Sequence, residues 1–390
     1  MTGRSQPTVV GLAVVCLLAL GLGTACAVEL TIAGAGATNV VSGTVKLNVS
    51  APGAEGGYVI LKVDDKFISS QAPPFDFVWN SRTLEDGQHR ITVTEVNADG
   101  KVADKATQVV RVENRATVTG PVTLAYQFRQ GAKATYTITG QTDIKELGAN
   151  RYYEFVPWNL YSSYAGRFEV AAAETVTNTQ AGQAVIERAL TAGEVDLPEA
   201  ISRLLGVGKT TQVNVTAAGA LKDGPGVVNT ECKFGAAWIA LPEKPVQEGD
   251  KWSGPLVAQF EVQDGRTVAV TAEHQVVDFV KEHGVDCALI QSTYSQRGPL
   301  SVRIYGQVRE LDSVFVEGQR KTYFAIKQGC VVRMEDTLRG EFTIKSGDFG
   351  MYTTGAAGPT IPGAPAPAGR SVPDTVNLQL LMSLTSDMDQ

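Results

Sequence analysis

"APPFDFVWNSRTLEDGQHRITVTEVNADGKVA", residues 72–103, decides the fold. Two readings compete for it. One is a site, with His89 and its acidic neighbours holding a metal or a substrate. The other is a pair of strands punctuated by turns. Phe75, Phe77 and Trp79 fall on one face of an extended chain, and His89, Ile91 and Val93 do the same further on. Apolar residues at every second position, bounded by Asp86-Gly87 and Asp99-Gly100, spell strands between turns. No second ligand lies at a usable spacing from His89, so a metal role fails on spacing. His89 is expected at the rim of a β-sandwich, with a hydrogen-bond partner. Glu95 is the odd residue. It continues the His89–Ile91–Val93 face, where a charge is costly unless it is paired or sits at the strand end.

The flanking segments repeat the pattern. "GTVKLNVSA" (43–51) alternates Val45, Leu47 and Val49 with polar residues, "GYVILKVDD" (57–65) does so with Val59, Leu61 and Val63, and "ATQVVRVEN" (106–114) supplies a last strand. Short alternating strands separated by Gly, Asp and Pro turns argue for a β-sandwich over residues 28–114. With its V-D-D turn, P-F-D-F-V-W-N segment, L-E-D-G-Q-H lead-in and N-A-D-G turn, this stretch resembles a bacterial immunoglobulin-like domain. It departs from that pattern in Asp65 for the usual turn glycine, Asn80 for the usual Asp, and Glu95 where a small residue is common. The resemblance implies a spacer or interaction module without catalysis.

The first 27 residues read as a signal peptide. Arg4 precedes a short apolar run, Val9 to Leu22, and Ala25-Cys26-Ala27 suits cleavage before Val28. A lipoprotein signal is the alternative, with cleavage before Cys26 and lipidation of its thiol. Gly23 stands where such signals carry Leu. Both readings export the chain to the periplasm, cell surface or medium. Removal leaves about 360 residues, enough for two or three domains, with no later segment apolar enough to span a membrane. A net charge of −7 argues against nucleic acid or an anionic membrane surface as the main partner. Cys232, Cys287 and Cys330 remain after processing. One disulfide plus a thiol and three buried thiols are both open.

Residues 115–390 read as a larger antiparallel β-region, a curved sheet or half-open barrel with one short helix. "RQGAKATYTI" (129–138) is echoed by "QEGDKWSGPL" (247–256), and "RFEVAAAETV" (167–176) by "QFEVQDGRTV" (259–268). Such echoes suggest a duplication. The helix is "DLPEAISRLLGVGK" (196–209), with Pro198 in its first turn and Gly206 as its stop. Residues 353–375 are a Pro/Gly/Ala-rich loop. Alternation resumes at 376–386, a final strand expected to return and pair with "GCVVRMEDTLRGEFTIKSG" (329–347). "LPEKPVQEGDKW" (241–252) and "GQRKTYFAIKQGCVVRMEDTLRGEF" (318–342) also resemble an uncharacterised class of exported bacterial β-proteins, and that resemblance brings no activity with it.

Catalytic motifs do not assemble. "LLGVGKTT" (204–211) imitates a phosphate loop, but Arg203 occupies the position of the leading glycine and a helix precedes it instead of a strand. "EHGVDC" (282–287) reads as a hairpin turn placing Cys287 opposite Phe279, too far from His274 for a shared metal. The sequence holds no G-x-S-x-G and no H-E-x-x-H. No enzyme activity, metal or cofactor is expected. The densest aromatic stretch is "RYYEFVPWNLYSSYAGRF" (151–168), in which Tyr153, Trp158, Tyr161 and Tyr164 are candidate ligand-binding residues; packing of the same rings in the mouth or core of the β-domain is the competing and favoured reading. The chain is thus expected to be an exported non-catalytic envelope or surface protein. Its immunoglobulin-like module would present a β-domain to an envelope component, a surface polymer or an apolar ligand. A periplasmic carrier of a lipid and an envelope-polymer hydrolase are the alternatives. A carrier should show a sizeable apolar cavity beside the 198–205 helix and the 151–168 aromatics, and a hydrolase two facing carboxylates in a cleft.

Overall fold

The fold comes from a computed structural model, which describes residues 27–33, 38–147, 166–192, 207–208, 210–222, 238–262, 266–304, 307–345 and 375–389. Outside the described residues lie Cys26 and the signal segment, Cys232, the expected helix at 196–206, and most of the 353–375 loop. The four aromatic candidates Tyr153, Trp158, Tyr161 and Tyr164 lie outside them too. The described chain is all-β, with two single-turn 3-10 segments at Pro52–Ala54 and Ser81–Thr83.

The N-terminal strands are β1 (Glu29–Ile32), β2 (Val40–Val41), β3 (Thr44–Ser50), β4 (Tyr58–Val63), β5 (Lys66–Gln71), β6 (Asp76–Asn80), β7 (Gly87–Val96) and β8 (Val102–Val112). They form a three-stranded sheet, β1-β3-β6, and a five-stranded sheet, β2-β8-β7-β4-β5. Burial follows the alternation: Leu47, Phe77 and Trp79 on the first sheet and Val59, Leu61, Val63, Ile91 and Val93 on the second are buried. The β4–β5 turn shows why Asp65 can replace glycine. Asp64 and Asp65 both take positive φ, 47° and 65°, as a type I′ hairpin demands, and Asp tolerates that region better than most residues. His89 is half-buried, with Nε2 2.9 Å from the Glu85 carbonyl. Glu95 is buried, and its Oε1 has no hydrogen-bond partner.

The remaining strands build one eleven-stranded antiparallel sheet. They are β9 (Lys133–Glu146), β10 (Gly166–Gln180), β11 (Gln183–Ala192), β12 (Thr210–Thr216), β13 (Leu221–Lys222), β14 (Lys251–Val262), β15 (Arg266–Glu282), β16 (Val285–Ile304), β17 (Gln307–Ala325), β18 (Cys330–Lys345) and β19 (Thr375–Met388). Their spatial order is β13-β12-β11-β10-β9-β19-β18-β17-β16-β15-β14. Two meanders, β9–β13 and β14–β18, therefore run the same way across the sheet, and β19 joins them. It pairs with β18 through Gly340↔Leu380 and with β9 through Leu380↔Ile144.

The sheet curls into a half-barrel whose buried face is lined by Ile138, Val170, Ile290, Val316, Met334 and Leu378, among others. Glycines sit where that face is crowded. Phe168 lies over Gly140 and Tyr294 over Gly318, so close that a Cβ on either glycine would collide with the ring. A glycine facing an aromatic ring across a strand pair is a device for tight bending. The two edge strands are linked by the segment 238–246. The Leu241 amide donates to the Ala218 carbonyl beside β12 at 2.8 Å, and Trp252 Nε1 of β14 donates to the Ala240 carbonyl at 2.9 Å.

Two details refine the reading of the cysteines. The β15–β16 turn is the pair His283–Gly284, with φ of 50° and 77°. It places Val280 opposite Cys287, one residue away from the expected Phe279. Cys287 and Cys330 both register against Ala325 from opposite sides. Two strand spacings of about 4.8 Å separate them, beyond the roughly 7 Å limit for a disulfide, and both are free thiols.

The described residues divide into two compact units, one within 27–31, 47–77 and 90–109, the other within 32–46, 78–89 and from 110 onward. Inside the second unit a buried carboxylate ties the strands together. Glu282 pairs with Arg82 and accepts the Thr44 amide at 3.1 Å. Arg82 in turn lies over the Tyr323 ring, 4.5 Å from its centroid.

Candidate functional site

Alternation gives the large sheet one apolar and one polar face, and each carries a concavity. The polar face holds an open trough of about 1000 Å³. One row of side chains crosses six strands along it: Glu273, Thr293, Gln319, Thr337, Ser383 and Gln141, each in register with the next. Every side chain of that row is exposed to solvent. Arg339 pairs with Glu317 at 3.3 Å and also with Glu341. A ligand there competes with solvent at every contact, so the trough offers little net binding energy.

The second concavity is half-enclosed, about 540 Å³, and its walls are aromatic. The segment leading into β9 alternates Leu124, Tyr126 and Phe128 inward, and Tyr126 and Phe128 stack with centroids 5.8 Å apart. Tyr126 also meets Phe324 edge-on at 5.2 Å. Two contacts hold this ring. Its hydroxyl oxygen accepts the Ile239 amide at 2.9 Å, and the Tyr126 amide donates to the Ala217 carbonyl at 2.9 Å. Tyr136 of β9 donates its hydroxyl to the Val331 carbonyl at 3.3 Å. Trp238, Val176 and Ile186 complete the wall. The β17–β18 turn closes one side, where the Gln127 amide donates to the Gly329 carbonyl at 2.9 Å. Gly329 takes a φ of 61°, and a Cβ there would sit 2.6 Å from the Gln127 nitrogen, so only glycine lets the two backbones meet.

One ion pair is set into this wall. Glu174 on β10 lies directly across from Arg188 on β11, and Arg188 Nε donates to Glu174 Oε1 at 3.0 Å. The Arg188 side chain is 1% exposed. Burial raises the Glu174 pKa while Arg188 pulls it back down. Burial also drives the Tyr126 and Tyr136 hydroxyls well above the usual phenol range, so both are neutral donors or acceptors at any ordinary pH. Chemically the pocket can hold an apolar or aromatic body and hydrogen-bond one polar group. Glu174, the sole carboxylate among the described lining residues, is engaged by Arg188, and burial raises the pKa of the Cys330 thiol that also lines the pocket.

A third polar feature is fully buried. One register row on the apolar face reads Trp252, His274, Ser292, Arg320 and Asp336. His274 Nδ1 lies 2.7 Å from Ser292 Oγ, Trp252 stacks on the imidazole at 5.3 Å, and Arg320 binds Asp336 through Nε at 3.0 Å and Nη2 at 2.6 Å. His274, Ser292 and Arg320 are 0% exposed, so no substrate reaches them. His283 lies elsewhere, 2.6 Å from Asp387. Among the described residues no cluster of His, Cys, Asp and Glu is arranged to hold a metal ion.

The pocket residues went unnoticed in the sequence because they are scattered over 126–388. The one local signal is the alternation in "TLAYQFRQG" (123–131), which carries Tyr126 and Phe128. No helix among the described residues is long and apolar enough to cross a membrane. No protein-family model and no curated protein matches the chain. Among solved structures it is similar to one described as "Structures of Clostridium thermocellum CbhA fibronectin(III)-like modules". The identity is 13%, the coverage 48% of this chain and 94% of that one, and the TM-score 0.18. A superposition of that quality assigns neither fold nor function.

Proposed function

We propose that this chain is an exported, non-catalytic binding protein whose half-barrel holds a ligand with an apolar body in the aromatic pocket. The observation that carries the reading is the pocket of about 540 Å³ walled by Tyr126, Phe128, Tyr136 and Trp238. That volume lies within the range of small-molecule sites, which are mostly apolar with a few placed polar groups. Export rests on the N-terminal signal in the sequence. The engaged state of Glu174 favours holding a ligand over transforming it.

The test is binding of N-phenyl-1-naphthylamine, a neutral probe that fluoresces on entering an apolar site. Wild-type protein should bind it saturably. Phe128→Ser removes a half-buried ring from the mouth and should weaken binding about tenfold, the equivalent of 1.4 kcal/mol, with an unchanged far-UV circular dichroism spectrum. Equal binding by the two proteins would place the probe elsewhere and sink the proposal. Native mass spectrometry of protein purified from its own host would show any ligand already in place.

A further inference from the structure

We infer that the ligand of this pocket is a single-chain amphiphile with an anionic head, a conclusion that rests on the proposed function above. The chain carries a net charge of −7, yet the pocket's exposed charged residues are Arg129, Lys133 and Lys327, all cationic. They come from three places: the lead-in to β9, its first residue, and the β17–β18 turn. Glu174 does not offset them, because it lies in the wall with Arg188 bound to it. A positive rim on an acidic protein is a local field that selects anions.

The interior selects the other end of the ligand. Its walls are aromatic and aliphatic, and the Glu174–Arg188 pair is neutral as a unit, so a charged group deep inside would lie uncompensated. The charged head therefore stays at the mouth, hydrated and beside the three cations, with the apolar chain inside. About 540 Å³ accommodates roughly 18 non-hydrogen atoms at about 30 Å³ each, the liquid volume share of one water. One acyl chain fits that space, and the two chains of a phospholipid do not.

The experiment uses the full mature chain with N-phenyl-1-naphthylamine bound. The probe is displaced, below their micelle concentrations, by dodecanoate, dodecan-1-ol and dodecyltrimethylammonium. Dodecanoate should displace it about tenfold more strongly than the alcohol at about 0.01 M salt, and the cation should be weakest. The gap should close at about 1 M salt, where the screening length is about 3 Å. The variant Arg129→Glu/Lys133→Glu/Lys327→Glu should invert the order while still binding the neutral probe. The single variant Lys327→Ala, at an exposed turn, should narrow the gap if the triple variant is unstable. Equal displacement by all three amphiphiles would overturn the inference and leave the pocket intact. The same holds for an anion preference that persists in the rim variants. Failure of the neutral probe to bind wild-type protein would overturn the binding function itself, and the inference with it.

Discussion

His274 should remain uncharged down to about pH 4 in the folded protein, and this can be measured directly because the chain contains only three histidines. The imidazole is 0% exposed, stacked on Trp252 and bonded to Ser292. Burial lowers its pKa from 6.5 to about 4; Arg320 pushes the same way, and the backbone at Gly254 and the Glu273 carboxylate pull against them. Unfolding frees the ring to titrate near 6.5. Between those values the unfolded chain binds a proton that the folded chain refuses, so stability rises with pH across this window. The contribution is complete above pH 6.5 and is lost as pH falls toward 4. At about 1.4 kcal/mol per pKa unit, the depression is worth roughly 3 kcal/mol. Proton NMR of the imidazole C–H resonances should show one histidine flat from pH 8 to about 5. Urea midpoints should show the wild type losing roughly 2–3 kcal/mol relative to His274→Phe between pH 7 and about 4.5. Titration of all three rings near pH 6–7, or equal acid losses in both proteins, would refute the burial argument.

Two further substitutions test the buried polar groups. Asp336→Leu removes the carboxylate that binds Arg320 through two nitrogens in the core. It should cost about 3–5 kcal/mol, while Asp336→Leu/Arg320→Met should recover most of that loss; a single variant as stable as wild type in urea would show that the site is wet. Glu95→Met replaces a buried carboxylate whose Oε1 has no hydrogen-bond partner. It should raise stability by about 1–3 kcal/mol, and a lowered melting temperature would mean that Glu95 makes a contact worth more than its desolvation.

Local features of the sequence proved readable where the chain pairs with itself nearby. Period-two alternation put Leu47, Val59, Phe77 and Ile91 inside, and Asp64-Asp65 marked a hairpin that both residues turn through at positive φ. Glu95 stood out as a costly inward charge, and it is buried. The candidate pocket was hardly legible at all. Tyr126, Tyr136, Trp238 and Val331 meet only because distant strands come together, and no spacing in the chain records that.

What the sequence determined by itself is which residues prefer an extended chain and which face of each strand is apolar, because side chains alternate with a period of two whatever the strand's neighbour. Tertiary structure alone decided the neighbours. It inserted β19 between β18 and β9, laid the 238–246 segment between the two sheet edges, and brought His274, Arg320 and Asp336 into one buried row. Read singly, each of those polar residues belongs at the surface. Pairing across strands sets Arg320 against Asp336 inside, through two bonds to Asp336 Oδ2, and that pairing is a property of register between the strands. The pocket arises in the same way, from a curl that glycines 140 and 318 permit by leaving room for the rings opposite them.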